Sequence, residues 1–381
     1  MISFEPTPEQ EAYCELVVRF ARNELNDGTV ARDAGGEFSR TAWKKAGQFG
    51  ILGLMVPTEY GGSGADAVTL ALALEQLGYA CTDNGLLFSM NAHMWSCIAP
   101  IVRFGSEDQK QRYLPGLCDG TLIGVQAMTE PESGSDAFAM RTSAVARDES
   151  FVLNGSKTFI TNAPVADVFI VFASTSKRRG FGSSAFIVDR NTPGLSIGTP
   201  FDKMGLRTSP MSEVFFDDCA VPERALLGRV GAGMAIFNSS MEWERSFILA
   251  TAVGTMQRQL ERCIEYARTR RQFGEPIGKF QSIANKIVDM KLRVETSRLM
   301  LHRLAWLRSE NRSTALESSM VKLHLSECFV QSSLDAIQIH GGYGYMRESE
   351  IERDLRDALA SRIYSGTSEM QRVMTARRLG L

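Results

Sequence analysis

Ser240-Met241-Glu242-Trp243-Glu244-Arg245 lies in the stretch that opens at Gly231-Ala232-Gly233, and the periodicity of that stretch decides the fold. Met234, Phe237, Met241 and Ile248 recur three, four or seven residues apart, one face of a helix predicted over 231–254. Glu244 falls on that apolar face, whereas Glu242, about 200° around the helix, faces away. A carboxylate on an apolar face loses hydration, which raises its pKa and makes it a usable proton acceptor near neutral pH. Pairing with Arg245 or with an arginine across a bundle is the other reading of the same residue.

Working outward, helical periodicity continues to the C-terminus. It is broken by a loop at Phe273-Gly274-Glu275-Pro276, and helices follow over about 281–308 and 314–339, with shorter ones after Gly344 and Thr367. Long helices with short connections predict a four-helix bundle over 231–381. Upstream, 121–230 reads as a β-sheet or barrel domain. Val168-Phe169-Ile170-Val171-Phe172 and Ala185-Phe186-Ile187-Val188 look like buried strands, Leu153-Asn154-Gly155-Ser156 predicts a hairpin, and Gly180-Phe181-Gly182 and Pro193-Gly194 predict loops. Residues 1–120 read as a helical domain, with starts at Thr7-Pro8-Glu9-Gln10, Ser39, Asp66 and Ser106-Glu107-Asp108-Gln109. The fold class is therefore multi-domain α+β, ordered helix–β–helix.

Composition narrows the function. The chain has 381 residues, 44% of them hydrophobic, and a net charge of −2, which excludes disorder and supplies no field for nucleic acid or an anionic membrane. No apolar run approaches the ~20 residues of a membrane span, and no signal peptide is visible at Met1-Ile2-Ser3-Phe4. The seven cysteines are scattered and the histidines lack ligand spacing, so no metal is expected and a reducing cytoplasm is.

Two loops carry further chemistry. Thr129-Glu130-Pro131-Glu132-Ser133-Gly134-Ser135-Asp136 offers hydroxyls and free N–H groups to an anion or a polar ring edge, or is an ordinary loop. Gln338-Ile339-His340-Gly341-Gly342-Tyr343-Gly344 ends a helix with glycines, for capping or for close approach to a phosphate; His340 reads as structural.

With Ile160-Thr161-Asn162, Arg270-Arg271-Gln272-Phe273-Gly274, Phe280-Gln281 and Tyr364-Ser365-Gly366-Thr367-Ser368-Glu369, these elements resemble the acyl-CoA dehydrogenase family over essentially the whole chain. The resemblance implies FAD. Thr129, Ser135 and Thr161 would line its ring, Phe159 would cover it where many relatives have tryptophan, and Thr367 and Glu369 would sit near the ribityl and pyrophosphate region. Arg270, Phe273, Gln281, Gln338 and Gly342 would reach the FAD of a neighbouring subunit in a dimer or tetramer.

The implied reaction is α,β-dehydrogenation of an acyl thioester, with hydride passing to flavin N5. Many relatives place the catalytic glutamate just before Gly-Thr; here that position is Ser365, whose backbone N–H can still hold the thioester carbonyl, and Glu244 becomes the expected base. The Ser240–Arg245 stretch, Thr161-Asn162-Ala163-Pro164 and Cys81-Thr82-Asp83-Asn84 are similar to the dehydrogenases of carrier-protein-bound prolyl thioesters in pyrrole biosynthesis. Gly342-Tyr343-Gly344-Tyr345 is closer to the general family, which sustains a short- or branched-chain acyl-CoA dehydrogenase as the alternative. A flavin oxidase, or a flavin-binding protein without dehydrogenase activity, is a further alternative. Reoxidation would fall to an electron-transfer flavoprotein or another acceptor.

Overall fold

The computed structural model describes residues 5–176 and 182–381. Gly180 and Phe181 of the expected loop, and Met1-Ile2-Ser3-Phe4, lie outside the described residues. Helices come first: Pro8–Glu24, Thr29–Gly35, Arg40–Phe49, Ala67–Ala80, Asn84–Phe104 and Glu107–Cys118. Four of them start where expected. Thr7 and Ser106 close capping boxes with Gln10 and Gln109, and Ser39 and Asp66 accept from the first-turn amides of Ala42 and Thr69.

Asn84–Phe104 departs from expectation, being long and apolar enough to cross a membrane by length and composition. Its most apolar window is 89% buried within the protein, so core packing accounts for its character. Its middle, His93–Ile98, is a π-helical turn. His93, fully buried there, contacts the Leu117 carbonyl through Nε2 at 3.0 Å and accepts from the Gly124 N–H through Nδ1 at 2.9 Å, joining the helices to the sheet.

The sheet contains β1 (Gly124–Ala127), β2 (Ser143–Arg147), β3 (Ser150–Thr161), β4 (Val168–Ser174), β5 (Ser183–Asp189), β6 (Leu195–Ile197), β7 (Met211–Pro222) and β8 (Leu226–Leu227). Its order is β6-β7-β3-β2-β4-β5-β8, with β1 parallel to β4. β2 and β4 meet only at Ser143 and Ser174, so the sheet folds along that line. Phe169, Val171, Phe186 and Val188 then face Leu153, Val214 and Phe216, while Ile170, Phe172 and Ile187 face the helices. Burial on both faces explains the unbroken apolar runs of β4 and β5.

The hairpin expected at Asn154-Gly155 is absent. Both residues lie inside β3, where the register against β7 shifts between Leu153 and Gly155. Gly155 has φ 144°, and Asn154 bonds Asp218 across the strands, so the pair forms a bulge rather than a turn. The chain reverses instead at Asp148 (φ 47°) and Glu149, between β2 and β3.

The last part is helical: Gly233–Phe247, Ala250–Thr269, Gln281–Ser309, Ala315–His340, Ile351–Ala360 and Ser368–Arg378. The single helix predicted over 231–254 is two, because Leu249 (φ −103°, ψ 8°) leaves helical geometry. The redirected second helix crosses Ala67–Ala80 at glycine-to-backbone distance. A Cβ on Gly78 would lie 1.9 Å from the Thr251 carbonyl oxygen, and one on Gly254 would lie 1.9 Å from that of Glu75. Gly254→Ala should therefore lower stability by about 1–3 kcal/mol or more in urea unfolding, although alanine is the better helix former. A more stable variant would contradict this packing.

Candidate active site

Glu244 sits near the end of the Gly233–Phe247 helix, whose buried face includes Ile236, Ser240, Met241 and Phe247. Of the stripe read from the sequence, Phe237, Met241, Glu244 and Ile248 turn inward, but Met234, in the first turn, is 40% exposed. Ser240, one turn before Glu244, donates to the Trp95 carbonyl at 3.0 Å and to Gln126 Oε1 of β1 at 3.1 Å. Trp95 stacks on Trp243 at 6.2 Å. The helix is thereby fixed between the first helices and the sheet. Glu242 points the other way, to Arg308 and Thr314, as its position around the helix requires.

The Glu244 carboxylate is buried. Its Oε2 accepts from the Ser96 hydroxyl at 2.7 Å, and its Oε1 accepts from the Ser365 hydroxyl. Arg245 does not pair with it; its Nε donates to the Ser365 carbonyl at 3.3 Å. Burial pushes the Glu244 pKa up, while the two serines, then Arg245 and Lys322, pull it back. The result is a carboxylate raised above its ordinary range but held by two hydroxyl donors. That environment suits a base.

Ser365 lies in a left-handed turn, φ 58°, followed by Gly366 at φ 88°. Three side chains hold the turn's carbonyls. Lys322 Nζ donates to Gly366 O at 2.7 Å, Gln371 Nε2 donates to Ser365 O and Gly366 O at 3.0 and 2.8 Å, and Arg245 donates to Ser365 O. Lys322 is fully buried, and burial followed by the nearby Arg245 charge lowers it to about 8. With its carbonyls engaged, the turn leaves the Ser365 N–H without a backbone acceptor among the described residues. Thr367 caps the Ser368–Arg378 helix by accepting from Met370 N, and Glu369 stands exposed in that helix's first turn.

A second group of expected residues gathers on adjacent strands. The Thr158 N–H donates to the Thr129 carbonyl at 2.9 Å, so the segment after β1 runs beside the end of β3, which carries Phe159 and Thr161. Phe159 has φ 56° at an irregularity in the β3–β7 register and presents a 62% exposed ring. Glu130 braces the 129–136 loop by accepting from Arg141 N, Thr142 N and the buried Lys157 Nζ at 2.5, 3.0 and 2.8 Å. That leaves Ser135 exposed, and a Cβ on Gly134 would meet nothing within 4 Å. An accessible aromatic face beside such a loop fits a flat, polar-edged ring.

A third group lines an open cleft of about 840 Å³ that includes Arg270, Phe273, Phe280, Gly341, Gly342 and Tyr343. Phe273 is 94% exposed at the tip of a short hairpin, the stretch expected as a plain loop. Gln281 and Gln338 are exposed and adjoin lining residues in sequence without lining the cleft themselves. Gly341, at φ 59°, ends the Ala315–His340 helix, and a Cβ on Gly341 or Gly342 would meet nothing within 4 Å. His340 stacks on Tyr266 and bonds its own helix at Ala336 O, a structural role. Sequence reading missed Ser96, Lys322 and Gln371.

The N-terminal, middle and C-terminal domain models of acyl-CoA dehydrogenase match residues 7–121, 125–219 and 231–380, and the chain belongs to that family. It is 45% identical over 346 residues to an L-prolyl-[peptidyl-carrier protein] dehydrogenase of Pseudomonas fluorescens, covering 90% of this chain and 91% of that one. The prolyl acyl carrier protein oxidase AnaB superposes with a TM-score of 0.97 at 47% identity, over 99% of this chain and 100% of that one. PigA, solved with FAD and proline, gives 0.97 at 42% identity over the whole of both chains.

The sign of the Glu244 shift makes a stability prediction. Its folded pKa lies above the ordinary 4.5, so the fold loses stability as pH rises from 4.5 through the folded value. Glu244→Gln removes that penalty. It should melt above wild type at pH 8, and the gap should shrink as pH falls toward 4.5 in calorimetry.

Proposed function

We propose that this protein is an FAD-dependent dehydrogenase of a carrier-protein-bound aminoacyl thioester, with proline as the acyl group and Glu244 as the base. The observation that carries this reading is the buried Glu244 carboxylate, held by two hydroxyls beside a turn whose Ser365 N–H has no backbone acceptor among the described residues. Similarity over nearly the full chain to the prolyl carrier protein dehydrogenase and to PigA supports the substrate class.

Glu244 takes the α-proton, and the Ser365 N–H holds the thioester oxygen as enolate-like charge builds there. Phe159 excludes water from one face of the reacting centre. FAD, when bound, supplies the acceptor for the hydride that leaves the β-carbon. Thr129, Ser135, Phe159 and Thr161 would hold its ring, Thr367 and Glu369 its ribityl and pyrophosphate region. Arg270, Phe273, Gln281, Gln338 and Gly342 would serve the neighbouring subunit's cofactor.

That last assignment requires at least a dimer. Val288, Leu292 and Leu299 support one, exposed 57, 57 and 51% along Gln281–Ser309 at helical spacing. A tetramer in the cytoplasm, passing electrons to an electron-transfer flavoprotein or another acceptor, completes the reading; free cysteines throughout the described residues support the reducing compartment.

The test is anaerobic flavin bleaching with prolyl-carrier protein, prolyl-CoA and isovaleryl-CoA. Bleaching by the carrier-bound prolyl group alone is expected, slowed at least about a hundredfold in Glu244→Gln. Bleaching by isovaleryl-CoA would move the protein to acyl-CoA catabolism, and an unaffected variant would remove Glu244 as the base.

A further inference from the structure

Among the described residues, Ser96 makes the one hydrogen bond to the Glu244 carboxylate that comes from the first helical domain. It stands in the π-helical turn His93–Ile98, inside an otherwise α-helical run. One extra residue in such a turn rotates everything after it by about 100° relative to an unbroken helix. Both neighbours of Ser96 are committed to packing. The Trp95 ring packs against both Trp243 and Phe247, and Cys97 packs so closely on Gly124 that a Cβ there would lie 2.3 Å from its sulfur. Ser96 is thereby presented to the carboxylate with little freedom to turn elsewhere.

We propose that Ser96 is a positioning residue for Glu244, its hydroxyl fixing Oε2 while Ser365 fixes Oε1, so that the carboxylate is set in one orientation before substrate arrives. An ionised carboxylate only accepts, so both hydroxyls must donate, and both favour the anion. The charged and titratable groups facing Glu244 are Arg245 on its own helix, Lys322 on Ala315–His340 and Tyr364 beside the turn. Arg245 and Lys322 spend their hydrogen bonds on the carbonyls of Ser365 and Gly366. Among the described residues, the hydrogen bonds to the carboxylate come from the two serines. In turnover, the inference rests on Glu244 being the base; as a statement about the carboxylate, it does not.

The experiment uses the FAD-loaded protein and reads two quantities. Infrared difference spectra across pH follow the protonated carboxyl band of Glu244, assigned by its loss in Glu244→Gln. The pH profile of kcat/KM is then measured with prolyl-carrier protein. Ser96→Ala should move the band's midpoint up by about one pH unit and lower kcat/KM about tenfold on the acidic limb, with much less effect on the alkaline plateau. Ser96→Thr, which keeps the hydroxyl, should restore both. An unmoved midpoint would overturn the proposal, because removing a hydroxyl that donates to the anion must raise the pH at which the carboxylate ionises. A shifted midpoint in a protein whose Glu244→Gln form still bleaches would uphold the Ser96 contact and remove Glu244 as the base. Ser96→Cys, a nearly isosteric and weaker donor, makes the same comparison if the alanine variant does not fold.

Discussion

Two glycines that permit backbone contact set the geometry on which the site depends. Gly78 and Gly254 let the Ala67–Ala80 and Ala250–Thr269 helices cross with each glycine against the other helix's carbonyls. The crossing is locked electrostatically at its end. Arg258 Nη1 donates to the carbonyls of Gly78, Tyr79 and Cys81 at 2.6, 3.1 and 2.8 Å, a cation at the negative end of a helix dipole. Only three residues separate Ala80 from Asn84, whose amide reaches Asp354 and Asp357 at 2.9 and 3.2 Å. The direction of Asn84–Phe104, and with it the position of Ser96, is therefore inherited from the crossing. A carboxylate held from two domains needs those domains fixed relative to each other, and contact between backbones tolerates little slack.

Much of this was legible in the sequence because it depends on short-range patterns. Capping residues at Thr7, Ser39, Asp66 and Ser106 marked helix starts, and helical spacing put Glu244 on a buried face opposite Glu242. Readings failed where the same local signal serves two structures. Asn-Gly is favourable in a tight turn because of its positive φ, but a bulge uses the same freedom, and only pairing with Asp218 decides between them. The break at Leu249 leaves no mark in composition, since an apolar residue there fits a continuous or a redirected helix equally well.

Ser96 was hidden for a related reason. A π-helical turn changes the residue count, so a 3.6-residue period gives the wrong face for whatever follows it. In the sequence Ser96 is one small polar residue among Met94, Trp95, Cys97 and Ile98, with no feature linking it to a carboxylate 148 residues later. Lys322 and Gln371 were obscured similarly. Each acts on a turn distant in sequence or folded back beside its own helix, and their task is to hold carbonyls, which any lysine or glutamine can do.

The serine at 365 makes the placement of the base intelligible. Its hydroxyl already touches Glu244, so a glutamate at 365 would bring a second carboxylate against the first, and two like charges in a dry site cannot both ionise. A serine turns repulsion into donation and leaves the backbone unchanged where the N–H is needed. The charges nearby then fall into place. Arg245 and Lys322 engage the turn's carbonyls, which fixes the N–H, and their field opposes the burial that would otherwise neutralise Glu244. An arginine bound directly to the carboxylate would hold it ionised too strongly to accept a proton. Two neutral hydroxyls in contact and two cations one layer out keep the base both oriented and willing.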